Sequence, residues 1–250
     1  MKTIQKALDI LELFLDRDDE IGLAEIASLT GLNVSTAHRI VATLMKRGYL
    51  NQRQKRQKYS LSTKLLQFSH VLSKRMKIRD LAFPILDGLN KMVSESVNIA
   101  ILDQNEAVYI EHIESNQNLR MFTQVGNRVP LHSTGVGKVF LAHMNDEQLE
   151  DFLNGKPLPS YTKNTITDVD KLKHELIIIS EEGVGIDDEE REIGVKCIAS
   201  PIKNSNGGVV AAISVSGPSA RLSNKRVQEI KPLIKSCALE ISRAMGYQGE

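Results

Sequence analysis

The chain has 250 residues, 41% of them hydrophobic and 25% charged, and its formal net charge is +1. No apolar run approaches the roughly 20 residues that span a bilayer, and we expect Met1–Thr3 to lead directly into a helix rather than a signal peptide. The two cysteines, Cys197 and Cys237, lack metal-ligand spacing, so we expect reduced thiols in a cytoplasmic protein that uses no metal and no cofactor.

The net charge hides two halves of opposite sign. Residues 1–78 carry 14 basic and 7 acidic side chains, a balance of +7, whereas the remainder carries 18 and 24, a balance of −6. Between Ile26 and Arg79 there are 12 lysines or arginines and no aspartate or glutamate. A solvated basic face is the plain alternative, but a basic stretch of this length favours double-stranded DNA as the partner of the N-terminal half.

The N-terminal half begins with three predicted helices. An amphipathic helix in Ile4–Leu15 is followed by a second in Leu23–Leu29, a break at Gly31 and a third helix that Asn33 caps. The third helix has a single apolar stripe, formed by Ala37, Ile40, Val41, Leu44 and Met45. An ordinary pair of antiparallel helices in a core gives the same pattern, so the helices alone leave a helix-turn-helix and a plain hairpin open.

The segment after the third helix favours the helix-turn-helix. Two short predicted strands, Tyr49–Asn51 and Tyr59–Leu61, enclose the basic turn QRQKRQK, which is typical of a wing that contacts DNA. The third helix is then expected in the major groove, and the candidates for contacts there are Ser35, Thr36, His38, Arg39 and Thr43. The candidates for phosphate or minor-groove contacts on the wing are Arg53, Lys55, Arg56 and Lys58. Arg39 is the residue we expect to contact a guanine.

The chain divides into a predicted winged helix-turn-helix domain over 1–62, a linker helix over 63–79 and a C-terminal domain over 80–250. Ser62 is expected to cap the linker, whose Thr63–Lys77 segment contains no glycine or proline and is therefore expected to be stiff. A fourth core helix is the alternative interpretation of this segment.

The C-terminal domain mixes strand and helix patterns. The predicted strands are Val97–Leu102, Ala107–Ile113, Leu119–Val125, Val184–Asp187, Lys196–Pro201 and Val209–Ser216. The predicted helices are Leu81–Ser94 (with Pro84 near its start), Gly135–His143, Asp146–Leu153, Asp168–Glu182 and Asn224–Met245. Antiparallel hairpins combined with helices predict an α+β fold, a sheet with flanking helices.

Four stretches resemble the IclR family of bacterial transcriptional regulators. They are KALDILELF…LAEIASLTGLNVSTAHRIVATLMKRGYL, GNRVPLHSTGVGKVFLA, GVGIDDEEREIGVKCIASPI and GGVVAAISVSGPSARL. The resemblance implies a winged helix-turn-helix, a linker helix and a GAF-like effector-binding domain, assembled as a homodimer or homotetramer on a partly palindromic operator. A repressor is favoured over an activator, and the sugar-acid-responsive, KdgR-like branch stays open. The linker is then expected to transmit effector binding to the DNA-binding domains.

A small carboxylate is the effector that the C-terminal half is expected to bind. Ser133 or Thr134 can cap a helix whose first amides, presented by small residues, form an anion site, although a capped helix packed closely through its glycines is the alternative. Ser214 and Ser216 lie on one face of a strand. The positions that match the family's effector site are Gly135, Val136, Asp187, Cys197, Ser214 and Ser216. Asp188, Glu189 and Glu190 are expected to crowd this site with negative charge.

Two other classes of function compete with a ligand-responsive regulator. A thiol enzyme would pair Cys197 with His112 or His132, with Asp187 orienting the imidazole. The CIASP segment has no adjoining helix N-terminus that would lower the pKa of the thiol, so the sequence predicts no enzyme. A DNA-binding oligomeric protein without an effector is the third class, and the acidic C-terminal half argues against an architectural role.

Overall fold

A computed structural model describes residues 2–15, 20–53, 58–68, 77–154 and 157–249. The chain forms two compact units, Met1–Met76 and Lys77–Glu250, which are described separately. In the described part of the chain, no helix combines the length and the apolar character that crossing a membrane would take.

The first unit contains three helices and a small sheet. Its helices are α1 (Lys2–Glu12), α2 (Leu23–Leu29) and α3 (Val34–Lys46), and its strands are β1 (Ile21–Gly22), β2 (Leu50–Arg53) and β3 (Lys58–Leu61). The strands pair antiparallel in the order β1-β3-β2. A core of apolar side chains from all three helices joins them, and Ile10, Ile26, Val41 and Leu50 are among its members.

The caps of α3 confirm the predicted helix-turn-helix. Asn33 accepts a hydrogen bond from the Thr36 amide at 2.8 Å, which satisfies one of the free donors in the first turn. Gly31 adopts a φ of +64° in the turn, a conformation that glycine reaches without steric cost. The strands β2 and β3 form the two sides of the wing, whereas its tip, with Lys55 and Arg56, lies outside the described residues.

The second unit is built on a single antiparallel sheet. Its strands are β4 (Ser96–Asp103), β5 (Glu106–Ile113), β6 (Arg128–Pro130), β7 (Gly185–Asp188), β8 (Val195–Lys203) and β9 (Val209–Pro218), in the order β6-β5-β4-β9-β8-β7. Its helices are α4 (Lys77–Val93), α5 (Gly135–Ala142), α6 (Asp146–Leu153), α7 (Val169–Glu182) and α8 (Asn224–Ala244). The α+β prediction is confirmed.

Helices cover the sheet. Helix α5 packs on β7, β8 and β9, with α7 behind it, while α4 and α8 pack against each other and against the sheet. Ile198, Ile213 and Val215 alternate with the residues that face α5 and are fully buried, so the opposite face of the sheet is covered as well.

Two sequence predictions about this unit are wrong. Residues 119–125 form no strand, because the free edge of β5 pairs with residues 126–130 instead, and Leu119, Phe122 and Val125 are 68%, 71% and 54% exposed. Helix α4 already includes Lys77–Asp80, ahead of the predicted start at Leu81. Pro84 consequently lies in the helix interior and not in the first turn.

Candidate functional site

Helix α3 presents a polar face to solvent. Ser35, His38, Arg39 and Thr43 are exposed and Thr36 is half-buried, whereas Ala37, Ile40, Val41 and Leu44 are buried in the core. The Ser35 hydroxyl donates to Asn33 Oδ1 at 2.9 Å, and the Thr43 hydroxyl donates to the Arg39 carbonyl at 2.9 Å. Both oxygens therefore remain available as acceptors. Ala42 is exposed on the same face, and sequence reasoning missed it because alanine has no polar group to attract attention.

The wing continues the basic surface beside α3. Arg53 ends β2 and pairs in register with Lys58, which is exposed at the start of β3. The two residues that bracket the tip are thus paired in the backbone register of the two strands. This arrangement of a polar helix beside a basic hairpin is the geometry that phosphate and groove contacts require.

The second candidate site lies on the face of the large sheet that packs against α5. Strand register aligns Ser216, Cys197 and Asp187 across β9, β8 and β7. The next row aligns His112, Asn98 and Ser214 across β5, β4 and β9. Directly paired residues share one face of a sheet, so the structure brings Asp187, Cys197, Ser214 and Ser216 together as the sequence predicts.

The N-terminus of α5 meets this face through glycine. Thr134 caps the helix by accepting from the Gly137 amide at 3.2 Å. A Cβ at Gly135 would lie 3.2 Å from Cys197 Sγ and 3.2 Å from the Gly185 carbonyl, so any larger residue would push the helix start or its neighbours apart by a few tenths of an ångström. Val136, whose amide is the second donor predicted for the anion site, is fully buried. The structure thus shows the close glycine packing that the sequence offered as one alternative, and the anion site stays a prediction.

Asp187 is held at the end of its row by two amides. Its Oδ1 accepts from the amides of Glu190 at 2.7 Å and Arg191 at 3.3 Å. Burial raises the pKa of Asp187 from 3.8 to about 7, although the Glu190 amide opposes the shift. The carboxyl is consequently poised to change charge near neutral pH.

The acidic cluster after Asp187 is neutralised more fully than the sequence suggests. Lys138, only 1% exposed, places its Nζ 2.5 Å from Glu190 Oε1 and 3.4 Å from Glu175 Oε1. Lys196 pairs with Asp188 at 2.7 Å, and Glu189 accepts from the Gly194 amide at 2.7 Å. Sequence reasoning missed Lys138, although a lysine inside the apolar run GVGKVFLA was the available signal, because apolar surroundings force such a charge to find a partner.

Cys197 lies where the helix start meets the sheet. Its sulfur lies near Gly135 and on the same face of the sheet as Ser214 and Ser216, and burial raises the pKa of the thiol to about 11. The expectation that no helix N-terminus adjoins this cysteine is wrong, because α5 is distant from it in sequence and adjacent in space. Burial nevertheless keeps the thiol protonated and weakly nucleophilic.

The two histidines considered as bases face other partners. His112 Nδ1 lies 2.7 Å from Asn98 Oδ1, and His132 Nε2 donates to the Pro159 carbonyl at 2.9 Å. Burial lowers the pKa of both imidazoles. Neither histidine hydrogen-bonds to Cys197.

Comparisons with known proteins identify both units. Residues 3–54 match the IclR helix-turn-helix domain, and residues 70–243 match the bacterial transcriptional regulator IclR C-terminal domain. The HTH-type transcriptional regulator KdgR of Escherichia coli is 34% identical over 99% of this chain and 94% of its own length.

Solved structures agree over the same length. The crystal structure of the Thermotoga maritima IclR is 33% identical and superposes with a TM-score of 0.85 over 99% of this chain and 100% of that one. An IclR homologue from Microbacterium hydrocarbonoxydans, complexed with 4-hydroxybenzoate, is 26% identical with a TM-score of 0.84, over 97% of this chain and 98% of its own. The chain belongs to the IclR family of bacterial transcriptional regulators.

Proposed function

We propose that this DNA-binding transcriptional regulator is a repressor whose operator affinity is set by a small carboxylate bound between the start of α5 and strands β7, β8 and β9. The observation that carries the proposal is the close approach of Gly135 to Cys197, which shares one buried patch of the sheet with Ser214 and Ser216. Amide and hydroxyl donors converging at a helix N-terminus suit an anion.

The DNA-binding half of the proposal rests on the exposed face of α3. Arg39 is the candidate for a bidentate contact with guanine, and Ser35, Thr36, His38 and Thr43 are candidates for neighbouring base or backbone contacts. Arg53, Lys55, Arg56 and Lys58 would bind phosphates or the minor groove. Because its partner is DNA, we place the protein in the cytoplasm.

The proposed assembly is a homodimer formed through the first unit, on a partly palindromic operator. A groove of about 580 Å³ lies between α1 and α3; its lining is apolar apart from Thr3 on α1 and the DNA-contact candidates Arg39 and Thr43 on the rim formed by α3. Ile4 and Leu8 on its rim are 71% and 52% exposed. Such exposed apolar side chains on α1 favour burial against a second copy, and a two-fold dimer requires two half-sites. A homotetramer through the second unit is the further assembly that family membership suggests.

The chain is proposed to be a sensor and not an enzyme. The raised pKa of Cys197 and the separate partners of His112 and His132 support this, since a thiol nucleophile needs an adjacent base or a lowered pKa. In the described part of the chain, no group of acidic, histidine or cysteine side chains could hold a metal ion.

The test combines operator selection with a ligand screen. In vitro selection from genomic fragments should recover a partly palindromic sequence, and a thermal-shift screen of small carboxylic and sugar acids should find one family of acids that stabilises the protein. An Asp187→Ala, Ser214→Ala double variant that still folds should lose the stabilisation and keep the operator. Operator binding without any stabilising acid would favour a DNA-binding oligomer that has no effector.

A further inference from the structure

Asn98 connects the two serines of the effector face to a histidine two strands away. It pairs in register with His112 of β5 and with Ser214 of β9, so the three side chains lie in one row on the same face of the sheet. The side chain of Asn98 is completely buried. Its Nδ2 donates to Ser214 Oγ at 3.2 Å and to Ser216 Oγ at 3.3 Å, and its Oδ1 lies 2.7 Å from His112 Nδ1. Both ends of this amide are therefore engaged.

The orientation of the Asn98 amide decides what the serines can offer to a ligand. The nitrogen of an amide only donates and its oxygen only accepts, whereas a serine hydroxyl can do both. With Nδ2 toward Ser214 and Ser216, both serine oxygens accept from the amide, and both hydroxyl protons are available to a ligand. A half-turn of the amide would put Oδ1 in that place, and both hydroxyls would then donate to Asn98. Their oxygens, which repel a carboxylate, would be left to face the site.

His112 is the group that distinguishes the two orientations. A ring nitrogen Nδ1 that carries a proton donates to Oδ1 of Asn98, whereas an unprotonated Nδ1 accepts from Nδ2. The orientation in the structure therefore requires a proton on Nδ1 of His112. Burial lowers the pKa of His112, although the neighbouring Glu111 and Glu114 oppose the shift, so above neutral pH the ring holds a single proton. The nitrogen that holds this proton then determines which way the amide faces.

We infer that Asn98 and His112 are positioning residues of the effector site. The Nδ1 proton of His112 fixes the Asn98 amide, and the amide directs both serine hydroxyl protons toward the ligand. Neither residue needs to touch the ligand to have this effect. Donors that are oriented before binding favour an anion, because the ligand does not have to reorder them. This inference rests on the proposed effector site and assigns the residues that set the polarity of its serine donors.

The protonated nitrogen of His112 can be observed directly. NMR spectra of the full chain with nitrogen-15-labelled histidine, recorded at about pH 8 where the ring is neutral, distinguish a protonated from an unprotonated ring nitrogen. The signals that disappear in a His112→Asn variant belong to His112. We expect its proton on Nδ1. A neutral ring protonated on Nε2 would mean that the amide faces the other way, and it would overturn the inference without any ligand being needed.

A pair of substitutions at His112 tests the effect on binding. His112→Asn places an amide nitrogen near the position of Nδ1 and can still donate to Asn98, whereas His112→Asp offers only acceptors there and should turn the amide around. Isothermal titration measures the binding of acetate, pyruvate and gluconate to both variants and to the intact protein. For each acid that binds the intact protein, we expect His112→Asn to bind within about threefold and His112→Asp to bind at least about tenfold more weakly.

The control for the added charge is Glu114→Gln. Glu114 is close enough to His112 to affect its pKa, and its carboxylate pairs with Arg120 at 2.7 Å, so this variant changes the charge by one unit without altering the contacts of Asn98. Because both side chains of that pair are exposed, the variant should change binding by no more than about twofold. Thermal unfolding should show all three variants folded.

Three results of the titrations would contradict the inference. If His112→Asp bound the acids as tightly as His112→Asn, or if Glu114→Gln changed binding as much as His112→Asp, the inference would be overturned and the effector site would stand. If no acid bound the intact protein, the proposed carboxylate site would fail together with the inference.

Discussion

Lys138 and Glu190 form an ion pair that is almost completely withdrawn from water. Their Nζ and Oε1 atoms are 2.5 Å apart, and the side chains are 1% and 7% exposed. The second oxygen of Glu190 is buried and has no hydrogen-bond partner among the described residues. Because Lys138 lies on α5 and Glu190 follows β7, the pair links the helix start to the strand that carries Asp187.

Removing one partner of this pair should strongly destabilise the protein. We expect Lys138→Met to lower the free energy of unfolding by about 3–5 kcal/mol, because it leaves the Glu190 carboxylate buried without a counter-ion. Lys173→Met is the matched control: the Lys173 ammonium also lies 2.5 Å from a carboxylate, that of Glu150, but both side chains are largely exposed, so this variant should lose much less stability than Lys138→Met. Urea unfolding followed by circular dichroism distinguishes the two.

Adding Glu190→Gln to Lys138→Met should recover part of the lost stability, since the unpaired charge disappears. Equal stabilities for Lys138→Met and Lys173→Met would show that burial of the pair has no energetic importance.

A single methyl group should separate α5 from the segment before it. A Cβ at Gly137 would lie 2.4 Å from the Leu131 backbone, and backbone atoms cannot rotate away as a side-chain tip can. We expect Gly137→Ala to cost at least about 2–3 kcal/mol of unfolding free energy. Gly88→Ala in α4, where nothing lies within 4 Å, should be neutral or stabilising by up to about 1 kcal/mol. A tolerated Gly137→Ala would mean that α5 and residue 131 do not pack as closely as described.

Effector binding should weaken as the pH rises through neutrality. The folded pKa of Asp187, about 7, lies above its ordinary 3.8, so the folded protein holds a proton here that the unfolded chain has lost between these values. Raising the pH through 7 ionises Asp187, which removes stability and places a negative charge beside the bound carboxylate.

We therefore expect a carboxylate to bind progressively more weakly from pH 6 to pH 8, by up to tenfold per unit above the pKa. Asp187→Asn keeps an oxygen acceptor for the amides of Glu190 and Arg191 and should flatten this dependence. Titration calorimetry at several pH values measures both. An unchanged slope in Asp187→Asn would assign the dependence to the neighbouring Lys138–Glu190 pair.

Substitutions in α3 and in the wing should affect DNA binding in different ways. Arg39→Ala is expected to cost about 1–3 kcal/mol on the preferred operator and to relax specificity at one base pair. Lys58→Ala should weaken binding to all sequences and reduce the slope of log affinity against log salt by about 1. Fluorescence anisotropy on single-base operator variants at several salt concentrations separates these outcomes. If both variants lost discrimination between operator sequences to the same extent, the proposed division of roles between α3 and the wing would be wrong.

Local chemistry made the helices, the hairpins and the glycine-rich helix start predictable. The Asn33 cap, the turn at Gln104 and Asn105 between β4 and β5, and the serine alternation in β9 depend on near neighbours, and the sequence displays them directly.

The wrong or missing predictions depend on residues far apart in the chain. A strict period of two places Tyr109 and His112 on opposite faces of β5, but the register shift in the pairing of β4 with β5 after Ile99 puts both on one face. The apolar segment 119–125 has the composition of a strand, but residues 126–130 occupy the edge of β5 with which it could have paired. The approach of Gly135 to Cys197 joins positions 62 residues apart, which no local pattern reveals.

Strand β9 occupies the centre of the sheet, between β4 and β8, and it also carries Ser214 and Ser216. Strand β9 is the last strand of this sheet to be synthesised. Its partner β4 precedes it by more than a hundred residues and therefore emerges from the ribosome well before β9 can pair with it. During translation the winged domain can therefore fold while the second unit still lacks its central strand. A nascent or truncated chain that ends before β9 would retain the DNA-binding helix but have no means of responding to a metabolite.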